Sequence, residues 1–300
     1  MTESTFAGQV SRWYEDNARD LPWRRPEVSP WAILVSEVML QQTPVARVLP
    51  AWQAWLDRWP TPAALAGDSP AEAIRMWGRL GYPRRAVRLR DCAAAIVQRH
   101  GGKVPDRLEQ LLALPGVGTY TARAVAAFAY GQRHPVVDTN VRRVVCRAVA
   151  GEPDAGPVTR PADLVATEEL LPLEPAAAAL ASAAIMELGA VICTARSPRC
   201  GACPVNASCA WRASGRLAPV GPTRRPQRYA GTDRQVRGLL LGILRESTGP
   251  VPHQRLDQVW PDEAQRARAL AGLVTDGLVE PIGDTSFRLV GDGPPAPVAD

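Results

Sequence analysis

The sequence predicts an all-α unit followed by a small α+β unit, and three observations carry that reading. Apolar residues recur at helical spacing from Phe6 to Val191, and no strand-period alternation appears before residue 230. Helix-start signals recur along the same stretch, as in Thr61-Pro62 and Ser69-Pro70-Ala71-Glu72. Beyond residue 230 three short helical runs lead into a hairpin pattern, which together suggest a winged helix.

Taken in order, Phe6 to Asn17 places Phe6, Val10, Trp13 and Tyr14 at helical spacing, and Leu21 to Pro26 is a proline-pinned loop. Pro30 to Gln42 is a helix with Trp31, Leu34, Val35, Val38 and Met39 inward, and Pro44 opens the next, with Val48, Trp52 and Trp55 inward. Thr61-Pro62 reads as an N-cap with Pro at the first helical position, and Ser69 to Glu72 as a capping box. A glycine loop, Trp77 to Pro83, leads to a helix over Arg84 to His100 that Gly101-Gly102 ends. Leu108, Leu111, Leu112 and Leu114 form an apolar face that stops at Pro115. Gly116-Val117-Gly118 then turns the chain into a helix over Thr121 to Tyr130. The glycines permit positive φ, and the backbone N–H groups at the start of the second helix face outward, where a phosphate can sit. An ordinary αα-corner has the same local pattern. Helices over Asp138 to Val149 and Pro175 to Val191 follow.

The expected organisation is a helical domain over 1–211, a basic Pro/Gly linker over 212–233, a winged-helix-like unit over 234–290 and a disordered tail over 291–300. In the last unit, Gln235 to Glu246, Leu256 to Val259 and Glu263 to Thr275 are the helices and Glu280 to Val290 the hairpin.

The 300 residues carry a net charge of +5 and a pI near 9.1, which permits nucleic acid without demanding it. The start has neither the basic nor the apolar part of a signal peptide, and the alanine-rich run to Cys193 contains Glu187, so it is a buried helix and not a membrane span. A cytoplasmic, nucleoid-associated protein is expected.

Four of the six cysteines crowd together: Cys193, Cys200, Cys203 and Cys209, with six, two and five residues between them. Structural zinc sites usually pair cysteines in two close couples. Here one cysteine ends a helix and three follow in a tight loop, which favours a [4Fe–4S] cluster over zinc, and both over disulfides in a reducing cell. Cys92 and Cys146 read as small core residues.

This cysteine spacing directly after a helix, downstream of Leu114-Pro115-Gly116-Val117-Gly118 and Val137-Asp138, resembles the helix-hairpin-helix DNA glycosylases with an iron–sulfur loop, over roughly residues 3–211. Ser36-Glu37-Val38-Met39-Leu40-Gln41-Gln42-Thr43 resembles the signature of their MutY family of adenine glycosylases. From the residues themselves, Glu37 on an apolar helix is desolvated and holds its proton to higher pH, as an acid must. Asp138 at a helix start reads first as a cap. The resemblance adds catalysis: Glu37 protonates adenine at N7 and Asp138 stabilises the oxocarbenium ion, with Tyr120 and Asn140 orienting the chemistry. A lyase in this superfamily carries lysine at the Tyr120 position, so a monofunctional enzyme that leaves an abasic site is implied. Arg24 and Glu187 match positions lining the adenine pocket, and Trp23 is expected at its border. Gln41, Gln42, Thr43, Tyr82, Gly116, Val117 and Gly118 are expected at the DNA, with Gln42 and Tyr82 inserted beside the lesion. The cluster is expected to staple a loop that presents Arg196, Arg199 and Arg212.

Two departures stand out. Pro83 replaces a more usual tyrosine, and the chain beyond residue 230 lacks the pattern of the Nudix-like domain that reads 8-oxoguanine. The implied partner is duplex DNA with a mispaired adenine, met by a monomer, with no membrane. The alternatives are a glycosylase of the same fold acting on another mismatched or deaminated base, and a non-enzymatic iron–sulfur DNA-binding regulator. The latter has no use for Glu37 and Asp138 together.

Overall fold

The computed structural model describes residues 5–156, 158–216 and 229–293. In chain order the helices are α1 (Phe6–Asn17), α2 (Pro30–Leu40), α3 (Val45–Arg58), α4 (Pro62–Ala66), α5 (Pro70–Trp77), α6 (Arg84–His100), α7 (Leu108–Leu112), α8 (Thr119–Tyr130), α9 (Thr139–Val145), α10 (Pro161–Glu168), α11 (Pro175–Val191), α12 (Ala210–Ala213), α13 (Asp233–Glu246), α14 (His253–Asp257) and α15 (Glu263–Thr275). Strands β1 (Val251–Pro252), β2 (Val279–Ile282) and β3 (Ser286–Leu289) complete the chain. Two compact units result. The first is Met1–Glu37, Pro105–Ala113 and Val117–Thr223; the second is Val38–Val104, Leu114–Gly116 and Arg224–Asp300.

In the first unit α1, α9 and α11 share a core of Ala7, Val10, Val141, Val144, Ile185 and Leu188. Alanines at 178, 181 and 184 of α11 are buried in it. Close approach peaks at Gly189, where an added Cβ would lie 2.7 Å from the Asn140 carbonyl oxygen and 2.8 Å from its Cβ. Only glycine fits there. The expected helix from Asp138 to Val149 is instead α9, capped by Asp138, followed by a π-helical turn at Cys146–Ala150. Arg147 in that turn is buried and hydrogen-bonds loop carbonyls.

In the second unit the cap signals are realised with one difference. Thr61 Oγ1 accepts from the Ala64 N–H at 3.2 Å, and Ser69 Oγ from the Glu72 N–H at 3.2 Å. The reciprocal half of the Ser69 box is absent: the Ser69 N–H donates to Asp68, while Arg58 and Arg75 bind the Glu72 carboxylate. Charge attraction to two guanidiniums outcompetes a neutral N–H. Trp55 packs edge-on against Trp59 and Trp77, with centroids 4.6 and 5.6 Å away.

The C-terminal elements form three helices and an antiparallel sheet of order β1-β3-β2, with Val251 opposite Phe287 and Val279 opposite Leu289. Their core of Val236, Leu240, Leu244, Leu270 and Leu289 includes Ala71 and Ile74 of α5. Strand β1 and helix α10 have no counterpart among the elements that the sequence pattern predicts. The expected linker overlaps the end of α12; its central stretch 217–228, with Arg224, Arg225 and Arg228, lies outside the described residues, as does 294–300 of the expected tail. No described helix is long and apolar enough to cross a membrane.

Candidate active site and cluster loop

Three segments of the first unit bring Glu37, Tyr120 and Asp138 together: the part of α2 up to Glu37, the first turn of α8 and the N-terminus of α9. Glu37 is buried between Ser36 and Val38, and its apolar setting raises its carboxyl pKa from an ordinary 4.5 to about 7. Burial is the main cause and the negative Asp138 adds to it, while the Tyr120 hydroxyl, donating to Glu37, and Arg24 pull the other way. Tyr120 is itself pushed well above the usual phenol range by burial and by both carboxylates.

Asp138 caps α9, its Oδ1 accepting from the Val141 N–H at 2.7 Å and its Oδ2 from Asn140 Nδ2 at 2.8 Å. Burial raises its pKa and these hydrogen bonds hold the rise back. The cap reading and the site reading are thus the same geometry: capping fixes one oxygen, and Asn140 fixes the other.

Arg24 and Glu187 meet as a pair, joined by a residue that sequence reasoning missed. Glu187 is fully buried on α11 and accepts from Arg19 Nε at 2.6 Å, Arg19 Nη2 at 2.8 Å and Arg24 Nη2 at 2.8 Å. Opposed by burial, these two cations hold its pKa down to about 2. The Arg24 guanidinium also lies over the Tyr14 ring, 5.4 Å from its centroid. Trp23 is buried in the 3₁₀ turn that carries Arg24.

Of the expected duplex contacts, Gln41, Gln42, Thr43 and Tyr82 lie on two loops of the second unit. Gln42 and Tyr82 have φ of 55° and 47°, two of only three non-glycine residues with positive φ among the described residues. Such backbone costs about 1 kcal/mol or more and persists where surroundings enforce it. The enforcing group is Arg85, a second missed residue. Its buried guanidinium donates to the carbonyls of Val38, Met39 and Gln41, to Thr43 Oγ1 and to the Gly81 carbonyl, all at 2.7–3.1 Å. Tyr82 is exposed, Thr43 buried and Gln41 intermediate. Pro83 starts α6 from an α-helical conformation, so it serves the helix rather than breaking the loop.

In the hairpin only Gly116 uses positive φ, at 75°, with an added Cβ 3.0 Å from Arg88 Cβ. Gly118 is the N-cap of α8 with φ −93°, so of the two glycines that permit positive φ it does not use it. Nothing lies within 4 Å of where its Cβ would be, and Val117 between them is buried.

The four cysteines line one cavity, open to solvent, with Val144, Leu188, Ile192, Val205 and Trp211 as its apolar wall. Among the described residues, four thiolate donors and no histidine or carboxylate line that cavity. That donor set fits a multi-iron cluster better than zinc. Arg147 supports the fit, its Nη1 lying 3.6 Å from Cys193 Sγ and its guanidinium 4.6 Å from the Trp211 centroid. Arg143 bonds both Asn140 Oδ1, at 2.7 Å, and the Cys193 carbonyl, at 2.6 Å. Arg143 and Arg147 are one helical turn apart among valines, so both reach the loop that follows α11. Arg196 is exposed, Arg212 lines the cavity, and Arg199 turns back to the Val191 carbonyl at 2.6 Å.

Residues 35–165 match the model of the HhH-GPD superfamily of base excision DNA repair proteins, and residues 193–209, the segment that spans the four cysteines, match that of the iron–sulfur binding domain of endonuclease III, which gives the chain a [4Fe–4S] cofactor. An adenine DNA glycosylase of Mycolicibacterium smegmatis is 59% identical, over 95% of this chain and 96% of its own. One from Mycobacterium tuberculosis is 57% identical, over 94% and 92%. A solved thermostable thymine-DNA glycosylase superposes with a TM-score of 0.63 at 26% identity, over 70% of this chain and 95% of that one. The chain therefore belongs to the adenine DNA glycosylase family, as an iron–sulfur helix-hairpin-helix enzyme of base excision DNA repair.

Proposed function

We propose that this enzyme removes adenine mispaired with 8-oxoguanine or guanine in duplex DNA, acting as a monofunctional hydrolase. The observation that carries the reading is the buried Glu37, with a pKa of about 7, hydrogen-bonded to Tyr120 and beside Asp138. An acid poised near neutral pH and a second carboxylate are what N-glycosidic cleavage through a cationic sugar requires. The adenine leaves the base stack first. Glu37 gives its proton to N7, the C1′–N9 bond breaks, and its electron pair goes to the base. Asp138 balances the sugar cation until water adds at C1′ and loses a proton. Tyr120 and Asn140 hold the two carboxyl groups. Without a lysine at 120, no amine attacks the sugar.

In this reading Arg24, Glu187 and Trp23 border the adenine pocket. Gln41, Gln42, Thr43 and Tyr82, with the Gly116-Val117-Gly118 hairpin, engage a duplex bound by a monomer. When bound, the cluster cross-links Cys193, Cys200, Cys203 and Cys209 and fixes their loop. The test is single-turnover cleavage of duplexes with adenine opposite 8-oxoguanine, guanine, cytosine and thymine, beside a thymine·guanine duplex. Fast adenine loss opposite 8-oxoguanine and guanine is expected. Loss of thymine without loss of adenine overturns the reading, and efficient borohydride trapping overturns the monofunctional part.

A further inference from the structure

The C-terminal elements have no step in this reaction, yet within the second unit they grip both ends of the loop that carries Tyr82. Arg75 of α5 reaches into them, with Nε donating to the Arg245 carbonyl at 3.3 Å and Nη2 to the Ser247 carbonyl at 2.9 Å and to Asp292 at 2.6 Å. Arg245 returns a bond from its Nε to the Ile74 carbonyl at 3.1 Å. Gly291 comes so near α5 that an added Cβ would lie 2.9 Å from Pro70 Cδ. On the other side of the loop, Asp276 at the end of α15 binds Arg84, the first residue of α6, at 3.1 Å, and also Arg237. Val87 of α6 packs against the same apolar core.

The path from these grips to Tyr82 is short. Two residues after Arg75, the Trp77 indole N–H donates to the Gly81 carbonyl at 2.9 Å, and Arg84 follows Tyr82 by two. The third helix lacks the strongly basic face that a DNA-reading helix presents. In a winged helix the third helix enters the major groove. Here the exposed positions of α15 include Ala264, Ala267 and Ala271, while Arg266 pairs with Asp257 and Arg268 with Asp233.

We propose that the C-terminal elements are a buttress: they set the angle at which α5 and α6 present Tyr82 to the duplex, with Arg75, Asp276 and Asp292 as positioning residues. This rests on the reading of Tyr82 as an inserted residue. The test uses the full chain with Asp276→Asn and Asp292→Asn together, beside Tyr82→Ala. A duplex containing an uncleavable adenine nucleotide carries a fluorescent base analogue next to the opposite 8-oxoguanine. Fluorescence on this duplex, single-turnover excision on its cleavable adenine counterpart, binding to undamaged duplex and thermal midpoint are read.

The double variant is expected to lose more than about half of the fluorescence change and to excise about fivefold more slowly, with undamaged-duplex binding kept within about twofold. Glutamate at both positions is expected to restore part of the signal. A wild-type fluorescence change in the double variant, alongside its loss in Tyr82→Ala, overturns the buttress. An unchanged signal in Tyr82→Ala overturns the insertion reading instead. Parallel loss of undamaged-duplex binding also overturns the buttress, because it makes these elements a DNA contact. Should the double variant fail to fold, Asp276→Asn alone is read by the same outcomes, since its pair with Arg84 is half-exposed.

Discussion

Glu37→Gln should stabilise the protein while abolishing excision, and the gain should depend on pH. In the folded chain the Glu37 carboxyl group titrates at about 7, against an ordinary 4.5. The folded state therefore holds a proton that the unfolded chain has released between those values. Stability falls as pH rises from about 4.5 to about 7, and above that the whole cost is present, roughly 3 kcal/mol at 1.36 kcal/mol per tenfold. Glutamine keeps the volume, cannot ionise, and still offers an oxygen to the Tyr120 hydroxyl. Urea unfolding of both proteins should give a gain of about 1–3 kcal/mol near pH 8, shrinking toward zero near pH 5. Wild-type excision should in parallel fall tenfold per pH unit above about 7, as the acid loses its proton. A variant no more stable than wild type near pH 8, or a gain equal at both pH values, would refute the argument that burial of the charge sets the acidity.

Three further outcomes follow from packing and pairing. Gly189→Ala should cost roughly 2–3 kcal/mol in urea unfolding and slow excision, because its Cβ meets the backbone of Asn140 at 2.7 Å. Arg19→Ala should cost about 2 kcal/mol near neutral pH, less than a fully buried pair because the Arg19 side chain is 40% exposed. Since the clamp holds Glu187 at about 2, its stabilisation is present above about 4.5 and lost as pH falls toward about 2, so the Arg19→Ala deficit should close in an acid titration of stability. Arg85→Met should leave several buried carbonyls unpaired, costing at least about 3 kcal/mol by thermal or urea unfolding, and should weaken duplex binding through the Gln42 and Tyr82 loops.

The legible parts of this chain are those whose cause is local. The limits of α11 and α15 are readable because Pro175 occupies the first helical position and Asp262 caps the other start. Glu37, Tyr120, Asp138 and Asn140 lie in recognisable local patterns, and the fold brings them together. What the sequence hides are arginines that act across long separations. Arg19, Arg85, Arg143 and Arg147 bind carboxylates or carbonyls contributed by other elements, and a backbone carbonyl has no sequence signature. Strand β1 is hidden for a related reason: two residues carry no period, and only pairing with Phe287 and Ser286 makes them a strand.

Two buried glutamates in the same unit show why burial alone assigns no role. Glu37 and Glu187 both lie on apolar helices, and burial pushes both pKa values upward. Glu187 nevertheless ends at about 2, because Arg19 and Arg24 each hydrogen-bond its carboxylate directly. Glu37 ends at about 7, because its hydrogen-bond donor is the neutral Tyr120, Arg24 reaches it only through space, and Asp138 opposes its ionisation. Arg24 thus spends its hydrogen bonding on Glu187 and leaves Glu37 its proton. Freeing Arg24 to approach Glu37, as Glu187→Gln would, should lower the Glu37 pKa and move the upper limb of the excision profile to lower pH. An upper limb that stays at about 7 in Glu187→Gln would mean that burial and Asp138 suffice to set the acid, and that the arginine clamp serves stability alone.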